Sequence, residues 1–134
     1  MRVLFCHPKK DWTAEDIAES AAIISGATGA DVVSGRDAYQ RYFTVCGRNW
    51  SRWTVRMGCG TGLDGAPIFD MYVVPGEYCA KATAQIVGHA LAVGRPVLVW
   101  DRDAPGDYGK FRRVTRVQDT RPDDLWHGWV LRSG

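Results

Sequence analysis

The sequence lacks any long hydrophobic run. Residues 1–6 are apolar for only a few positions before a polar stretch that begins at His7. A secretory signal needs an apolar core of about 7–15 residues, and a membrane helix needs about 20. We therefore expect a first β-strand here instead of a signal peptide or membrane span, in a cytoplasmic protein with no membrane partner.

Cysteine is sparse and is not arranged as a metal site. The four cysteines, at positions 6, 46, 59 and 79, form no Cys-x-x-Cys pair and have no histidine at ligand spacing. Structural zinc sites normally show such spacing. The pattern predicts reduced thiols and no metal, and no other motif indicates a cofactor.

Neither sign of charge dominates. Seventeen basic and fifteen acidic side chains give a formal charge of +2, which disfavours nucleic acid as a partner because phosphate-binding proteins concentrate basic charge. With 134 residues, 46% of them hydrophobic, and no compositional shift along the chain, residues 1–134 are predicted to form a single domain.

What the sequence does contain is strand and helix signals in alternation. Residues 69–76 and 94–101 contain short valine-rich runs, the second after a tight turn, and residues 79–93 between them have helical character. Two such runs joined by a helix are typical of parallel strands that are covered on both faces. The sequence therefore predicts a βαβ unit here.

The first 34 residues predict a second βαβ unit. Residues 2–6 and 31–34 are the strands, and Thr13 and Asp16 form a variant of the capping box at the start of the intervening helix. Gly26 or Gly29 ends that helix. The right-handed crossover rule places the second strand beside the first.

The segment from residue 35 to residue 67 has few regular signals apart from a predicted helix at residues 50–57. Long connections of this kind commonly carry functional loops. Four of the six tryptophans lie in predicted loops or at element ends, where large rings either line a pocket, form a subunit contact or fill the core. They are Trp12, Trp50, Trp53 and Trp126.

The carboxyl-terminal third predicts a hairpin. Residues 110–118 alternate as a strand with one solvated face, and residues 128–132 are expected to pair back antiparallel. The predicted fold class is α/β, with three layers and a flavodoxin-like or Rossmann-like, mostly parallel sheet of four to five strands that ends in this β-hairpin.

Residues 60–65 match the dinucleotide-binding pattern G-x-G-x-x-G letter by letter. That pattern is informative only when it follows a strand and opens a helix. Here it follows a predicted helix and leads into a strand, so the helix amino terminus that would hold a pyrophosphate is missing. We do not predict a dinucleotide site.

Candidate site residues lie at the predicted carboxyl ends of the strands, where doubly wound sheets bind ligands. Cys6 and His7 follow the first strand. His7 is either a ligand contact to a sugar or phosphate oxygen or a loop histidine that binds water. Cys6 is more simply explained as a small buried residue than as a nucleophile, because no base is evidently aimed at it.

A second group follows the third strand. Gly76, Glu77 and Tyr78 precede the crossover helix, and a carboxylate there could contact ribose hydroxyls or act as an acid, base or nucleophile. The alternative is that Glu77 is a solvent-exposed loop residue with no role in binding or catalysis. Gln85 and His89 share one helix face, which either borders the site or is the polar side of the helix.

Three phrases, at residues 6–8, 70–76 and 88–97, resemble the nucleoside 2-deoxyribosyltransferase-like superfamily, which includes deoxynucleotide N-hydrolases and uncharacterised, often phage-encoded relatives. The most specific is the helix-to-strand phrase G-x-A-x-A-x-G-R-P-V, in which a Gly-Arg-Pro turn ends the helix. The resemblance covers about residues 1–101 and implies cleavage or transfer of the N-glycosidic bond of deoxynucleosides or their monophosphates. It also implies a homo-oligomer, because family members commonly complete their sites across subunits.

The resemblance further implies a glutamate nucleophile two residues before Gly88, but this chain has Ile86 there. An isoleucine cannot attack an anomeric carbon or hold a proton. Either a neighbour such as Glu77 or Gln85 has taken a different role, or the fold is retained for binding without turnover. If the protein is active, we expect a nucleoside deoxyribosyltransferase or a deoxynucleotide N-hydrolase.

The leading hypothesis is a nucleoside- or nucleotide-binding domain without the usual N-glycosidic-bond chemistry. One alternative is a non-catalytic interaction protein that uses tryptophan-rich and basic surfaces to form a homodimer or to bind a host protein. A minor alternative is an N-glycosidase that acts through Glu77 as its catalytic residue. The predicted ligand-binding residues are Cys6, His7, Asp37, Trp50, Gly76, Tyr78 and Gln85.

Overall fold

The computed structural model describes residues 1–7, 12–76 and 80–120. In these ranges the strands are β1 (Arg2–Phe5), β2 (Asp31–Ser34), β3 (Met71–Pro75), β4 (Val97–Asp101) and β5 (Lys110–Val114). The helices are α1 (Ala14–Thr28), α2 (Gly35–Tyr42), α3 (Trp50–Cys59) and α4 (Lys81–Ala92), followed by a 3-10 helix (Val117–Thr120).

The sheet has the strand order β2-β1-β3-β4-β5. The first four strands are parallel, and β5 pairs antiparallel with β4 as a carboxyl-terminal hairpin. This is the flavodoxin-like order of doubly wound, Rossmann-like folds. The predicted fold class is confirmed, while the strand expected at residues 128–132 lies outside the described residues.

Helices cover both faces of the sheet, because side chains of successive strand residues point to opposite sides. On one face, Ile24 of α1 packs against a cluster that includes Phe5 and Trp100. On the other, residues of α2, α3 and α4 pack against a larger cluster that includes Leu4 and Tyr72. The result is the three-layer arrangement that the valine-rich strands predicted.

Helix α1 begins at the predicted capping box. The Thr13 hydroxyl accepts a hydrogen bond from the Asp16 backbone N–H at 3.1 Å, and the Asp16 carboxylate accepts one from the Thr13 N–H at 2.9 Å. These bonds hold the pKa of Asp16 below its usual value. Gly29, in the left-handed region with φ of 68°, ends the helix.

Helix α4 ends in the predicted Gly-Arg-Pro turn. Gly94 has φ of +77°, a left-handed conformation that glycine adopts without steric cost. Its N–H donates to the Leu91 carbonyl, and the Arg95 N–H donates to the Ala90 carbonyl at 2.9 Å. This pair of bonds is a Schellman motif, which directs the chain straight into β4.

Two expectations about regular structure were wrong. The segment after β2 is helical from its first residue, because the Ser34 hydroxyl accepts the Asp37 N–H at 3.1 Å and caps α2. The strand expected at residues 110–118 stops at Val114, and the chain then turns into the 3-10 helix, where Val117 packs against the α4 side of the core.

Other expectations are confirmed within the described residues. Helix α3 starts at Trp50 as predicted and extends two residues beyond the expected end. Cys46 and Cys59 are free cysteines, and Cys79 lies outside the described residues. None of the described helices has the length and apolar character needed to cross a membrane.

Helices α3 and α4 approach each other closely at Gly58. A β-carbon at this position would lie 2.5 Å from the Ile86 carbonyl oxygen and 2.6 Å from the His89 β-carbon. Because the first of these atoms belongs to the backbone of a packed helix, it cannot move aside cheaply. Gly58 therefore sets the distance between the two helices.

We predict that Gly58→Ala destabilises the protein by about 2 kcal/mol or more, because the added methyl group forces α3 away from α4. Denaturant unfolding followed by tryptophan fluorescence measures this change.

The matched control is Gly88→Ala, in the interior of α4. A β-carbon there would lie 3.6 Å from the Val117 side chain, which is an ordinary contact. Alanine is favoured over glycine inside a helix by about 0.5–1 kcal/mol, so this variant should be as stable as the wild type or more stable. Equal stability of the two variants would contradict the close-approach account.

Candidate functional site

A cavity of about 250 Å³ lies at the carboxyl end of β1. It is bounded by the start of α2, the start of α3 and the first turns of α4. The lining residues are Leu4, Cys6, His7, Gly35, Arg36, Trp50, Trp53, Ala80, Ala82, Thr83 and Ile86.

The cavity occupies the place where the order of the sheet reverses. From β1 the chain crosses to β2 on one side, and then returns to β3 on the other side of β1. Helix α1, which follows β1, packs on the opposite face of the sheet, and the cavity above β1 is lined by residues at the starts of α2 and α4. In open α/β sheets, ligands bind at this switch point.

His7 closes the corner between β1 and α2. Its side chain is only 7% exposed, and its Nε2 atom accepts a hydrogen bond from the Arg36 backbone N–H at 3.2 Å. Nε2 therefore carries no proton in this arrangement. The imidazole caps an otherwise free N–H at the start of α2 and presents its ring to the cavity.

An aromatic cluster of Tyr39, Phe43, Trp50 and Trp53 forms the wall between α2 and α3. Tyr39 stacks on Phe43 with ring centroids 4.5 Å apart and on Trp50 at 5.4 Å, and the two indoles meet edge to face at 5.6 Å. Trp53 is buried and donates its indole N–H to the Ala38 carbonyl, whereas Trp50 is 45% exposed. The cavity therefore has one buried indole, that of Trp53, and one partly exposed indole, that of Trp50.

The opposite wall comes from α4. Ala82, Thr83 and Ile86 line it, and Ile86 is almost completely buried. Of the described lining residues, none carries a carboxylate, and the ionisable groups other than the Cys6 thiol are His7 and Arg36. The described part of the cavity can hold an apolar ring and can offer cationic or neutral polar groups, but none of its described residues supplies a carboxylate that could act as an acid, base or nucleophile.

Three of the residues that the sequence singled out lie together at this cavity, namely Cys6, His7 and Trp50. Asp37 lies instead in a separate groove beside α1 that is lined by Ala14, Ile17 and other residues. The position of the cavity therefore does not support Asp37 as a ligand contact.

The remaining predicted site residues are divided between the crossover loop and α4. Gly76 follows β3, and its N–H donates to the Trp100 carbonyl at 2.9 Å, which extends the β3–β4 pairing. Gln85 is on α4 but not among the residues that line the cavity. Glu77 and Tyr78 lie outside the described residues.

Sequence reasoning missed Arg36 and Thr83 as cavity residues, and it named Trp53 only as one of four tryptophans that either line a pocket, form a subunit contact or fill the core. Arg36 went unnoticed because α2 was not predicted, so the start of that helix could not be placed above β1. The serine that caps α2, directly after a strand, was the available signal.

The glycine-rich loop at residues 60–65 does not form a dinucleotide site. Thr61 and Pro67 pair as an isolated bridge, and the Gly62 N–H donates to the Ala66 carbonyl at 2.8 Å. The next element is β3, so no helix begins at the loop, as predicted.

A buried polar network fixes α3 against the sheet and the α4–β4 turn. The Tyr72 hydroxyl donates to the carbonyls of Met57 and Gly58, at the carboxyl end of α3. The Arg95 guanidinium donates to the Gly58 carbonyl at 3.1 Å and to the Gly60 carbonyl at 2.8 Å. Its charge is favourable at this helix end because the helix dipole is negative there.

The same network perturbs the Tyr72 phenol. Burial raises the pKa of Tyr72 to about 12, against a smaller opposing effect of the Arg95 guanidinium, which donates to the phenol oxygen at 3.3 Å. The neutral phenol is therefore the form that the folded state stabilises.

Comparison with known proteins finds no match, since no family model, no curated protein and no solved structure matches this chain.

The raised pKa of Tyr72 predicts a loss of stability at high pH. Between pH 10 and pH 12 the unfolded chain increasingly releases the Tyr72 proton while the folded chain largely retains it, so the free energy of unfolding falls by about 1 kcal/mol per pH unit from this group. In Tyr72→Phe this part of the pH dependence of the free energy of unfolding should disappear. Urea unfolding of both proteins across this pH range measures it, and identical slopes would contradict the assignment.

Proposed function

We propose that the cavity binds a small ring-bearing ligand of the nucleoside or nucleotide class, and that the chain lacks the usual N-glycosidic-bond chemistry. The observation that carries this proposal is the position of the cavity at the β1/β3 switch point, with Trp50 and Trp53 on one wall and Ile86 on the other.

The size of the cavity supports a ligand of this class. Its volume of about 250 Å³ exceeds that of a cavity of roughly 150 Å³ that admits benzene. It is slightly below the range of about 300–1,000 Å³ that is usual for drug-sized ligands. A single base or a nucleoside suits this volume, whereas a dinucleotide would extend far beyond it.

The chemistry of the walls supports stacking of a planar ring. The indole of Trp50 is 45% exposed at the edge of the cavity and lies edge to face with the buried Trp53, so aromatic surface borders the space where a base would lie. Arg36, at the start of α2, lies where it could meet an anionic or strongly polar group of the ligand.

Membership of the nucleoside 2-deoxyribosyltransferase-like superfamily is part of this proposal. The sheet order and the Gly94 turn are compatible with it, and Ile86 lines the cavity at the position where the resemblance implies a nucleophile. Because the cavity lies at the switch point but has an isoleucine at the nucleophile position, it favours ligand binding over bond cleavage.

A thermal-shift screen with deoxynucleosides, their monophosphates and ADP-ribose tests the binding proposal. A ligand present at about 100 times its Kd stabilises the folded state by about 2.7 kcal/mol, which corresponds to a rise of several degrees in Tm. No shift with any of these compounds at about millimolar concentration would contradict the proposal.

We predict that Trp50→Ala weakens binding of the ligand found in this screen by about tenfold to a hundredfold, because stacking on an aromatic side chain contributes about 1–3 kcal/mol per base. Tyr108→Ala is the matched control, since Tyr108 is 48% exposed, similar to Trp50, and lies outside the cavity. Isothermal titration calorimetry measures both affinities. Equal losses in the two variants would place the ligand elsewhere.

Glu77 is the residue through which the chain could still act as an N-glycosidase. It follows Gly76 at the end of β3, and Ala80, three residues later, lines the cavity. We predict that the wild-type chain releases no free base from deoxynucleoside monophosphates. Base release by the wild type that disappears in Glu77→Gln would overturn the binding-only proposal and make Glu77 catalytic.

A further inference from the structure

Positive charge is concentrated in one segment of the chain. Residues 35–61 contain five arginines and a single acidic residue, Asp37. The whole chain carries +2 and this segment carries +4, so the remaining residues carry −2. The arginines are Arg36, Arg41, Arg48, Arg52 and Arg56.

Among the described residues, none of these arginines forms an ion pair with a carboxylate. In residues 1–7, 12–76 and 80–120, the recorded ion pair joins Arg116 to Asp119, and no described carboxylate lies within 4.0 Å of the five guanidinium groups. Uncompensated like charges repel one another across a compact surface. Contact with a partner that supplies negative charge would relieve this repulsion.

Two of the arginines border a groove on the outer side of α3. Arg52 and Arg56, one helical turn apart, flank Val55, and Val45 and Cys46 from the loop after α2 form the opposite side. The groove has a volume of about 580 Å³ and is lined by no carboxylate among the described residues. We call this surface the α3 basic groove.

The lining of the α3 basic groove includes aliphatic side chains that are accessible to solvent. Val45 is 70% exposed and Val55 is 42% exposed. Exposed aliphatic side chains with arginines beside them can contact an apolar side chain of a partner while the guanidinium groups contact its carboxylates.

The turn before α3 holds one of these arginines beside the groove. Gly47 and Arg48 both have positive φ, at 69° and 53°. A β-carbon at Gly47 would lie 3.5 Å from a terminal nitrogen of Arg52, so the guanidinium packs over the bare glycine backbone. The Arg52 guanidinium therefore lies beside the turn, at the edge of the groove.

We propose that the α3 basic groove is a docking surface for an acidic protein segment in which an aliphatic side chain is flanked by carboxylates. The aliphatic side chain would contact Val45 and Val55, and the carboxylates would accept paired hydrogen bonds from the Arg52 and Arg56 guanidinium groups. This proposal is independent of the ligand cavity.

Charge and groove chemistry favour a protein segment over nucleic acid. Single-stranded nucleic acid is held by aromatic side chains that stack on bases as well as by basic groups. No described aromatic residue lines the α3 basic groove, whereas aliphatic side chains do. Trp50 and Trp53 belong to the cavity, which is a separate surface of α3.

Selection of random peptides of about 12 residues displayed against the full-length chain tests the proposal. We expect enriched peptides in which Asp or Glu flanks Leu, Ile or Val. The affinity of an enriched peptide, measured by fluorescence anisotropy, should fall at least tenfold in Arg52→Glu/Arg56→Glu, and it should weaken as salt rises from about 0.05 M to about 0.5 M.

Arg112→Glu/Arg113→Glu is the matched control, because it makes the same change in net charge on exposed residues of β5, outside the groove. This variant should bind the peptide within about threefold of the wild type. Circular dichroism of both variants shows whether the fold is retained. Val55→Ser serves as a second groove variant that leaves the charge unchanged, and it should also weaken binding.

Three results would overturn the proposal. The first is a selection that enriches no acidic, aliphatic-containing peptide. The second is equal loss of affinity in the groove variant and in the β5 control. The third is binding of single-stranded DNA in competition with the enriched peptide, at the same groove and more tightly than the peptide.

Discussion

The close contact of α3 with α4 at Gly58 is the constraint on which the rest of the structure depends. It brings the two helix backbones to a separation that no residue with a side chain permits. Tyr72 and Arg95 stabilise the position of α3 by donating hydrogen bonds to the carbonyls at its end. Because α3 is held at its carboxyl end, its amino end is fixed above the sheet. That is where Trp50 meets the cavity, with Ile86 of α4 on the far side.

The cavity combines a position typical of binding sites with a lining that is poor in reactive groups. Its described walls offer aromatic rings, small apolar side chains, one arginine and a histidine that accepts a backbone N–H of α2, but no carboxylate. Such a lining favours recognition of a planar ligand over acid–base chemistry. Helix α3, the one helix that the sequence predicted between residues 35 and 67, also carries the basic groove on another side, so this helix contributes to both proposed surfaces.

Local signals in the sequence predicted the framework. The capping box at Thr13 and the glycine at position 94 are set by residues within a few positions of one another, and both form as expected. Helix α2 was missed because it buries only Ala38, so its apolar pattern is too weak to indicate a helix. The role of Arg95 was not predictable, because its partners at the end of α3 are 35 or more residues away in sequence.

The most direct test of a ligand site at the switch point is a nitrogen-15 NMR titration of the full chain with a deoxynucleoside monophosphate. We expect the indole signals of Trp50 and Trp53 and the backbone signal of Thr83 to shift together. The Trp100 indole, which is buried and donates to the Tyr108 carbonyl, should stay in place. Shifts confined to the groove around Asp31 and Asp64, or no shifts at all, would contradict the account.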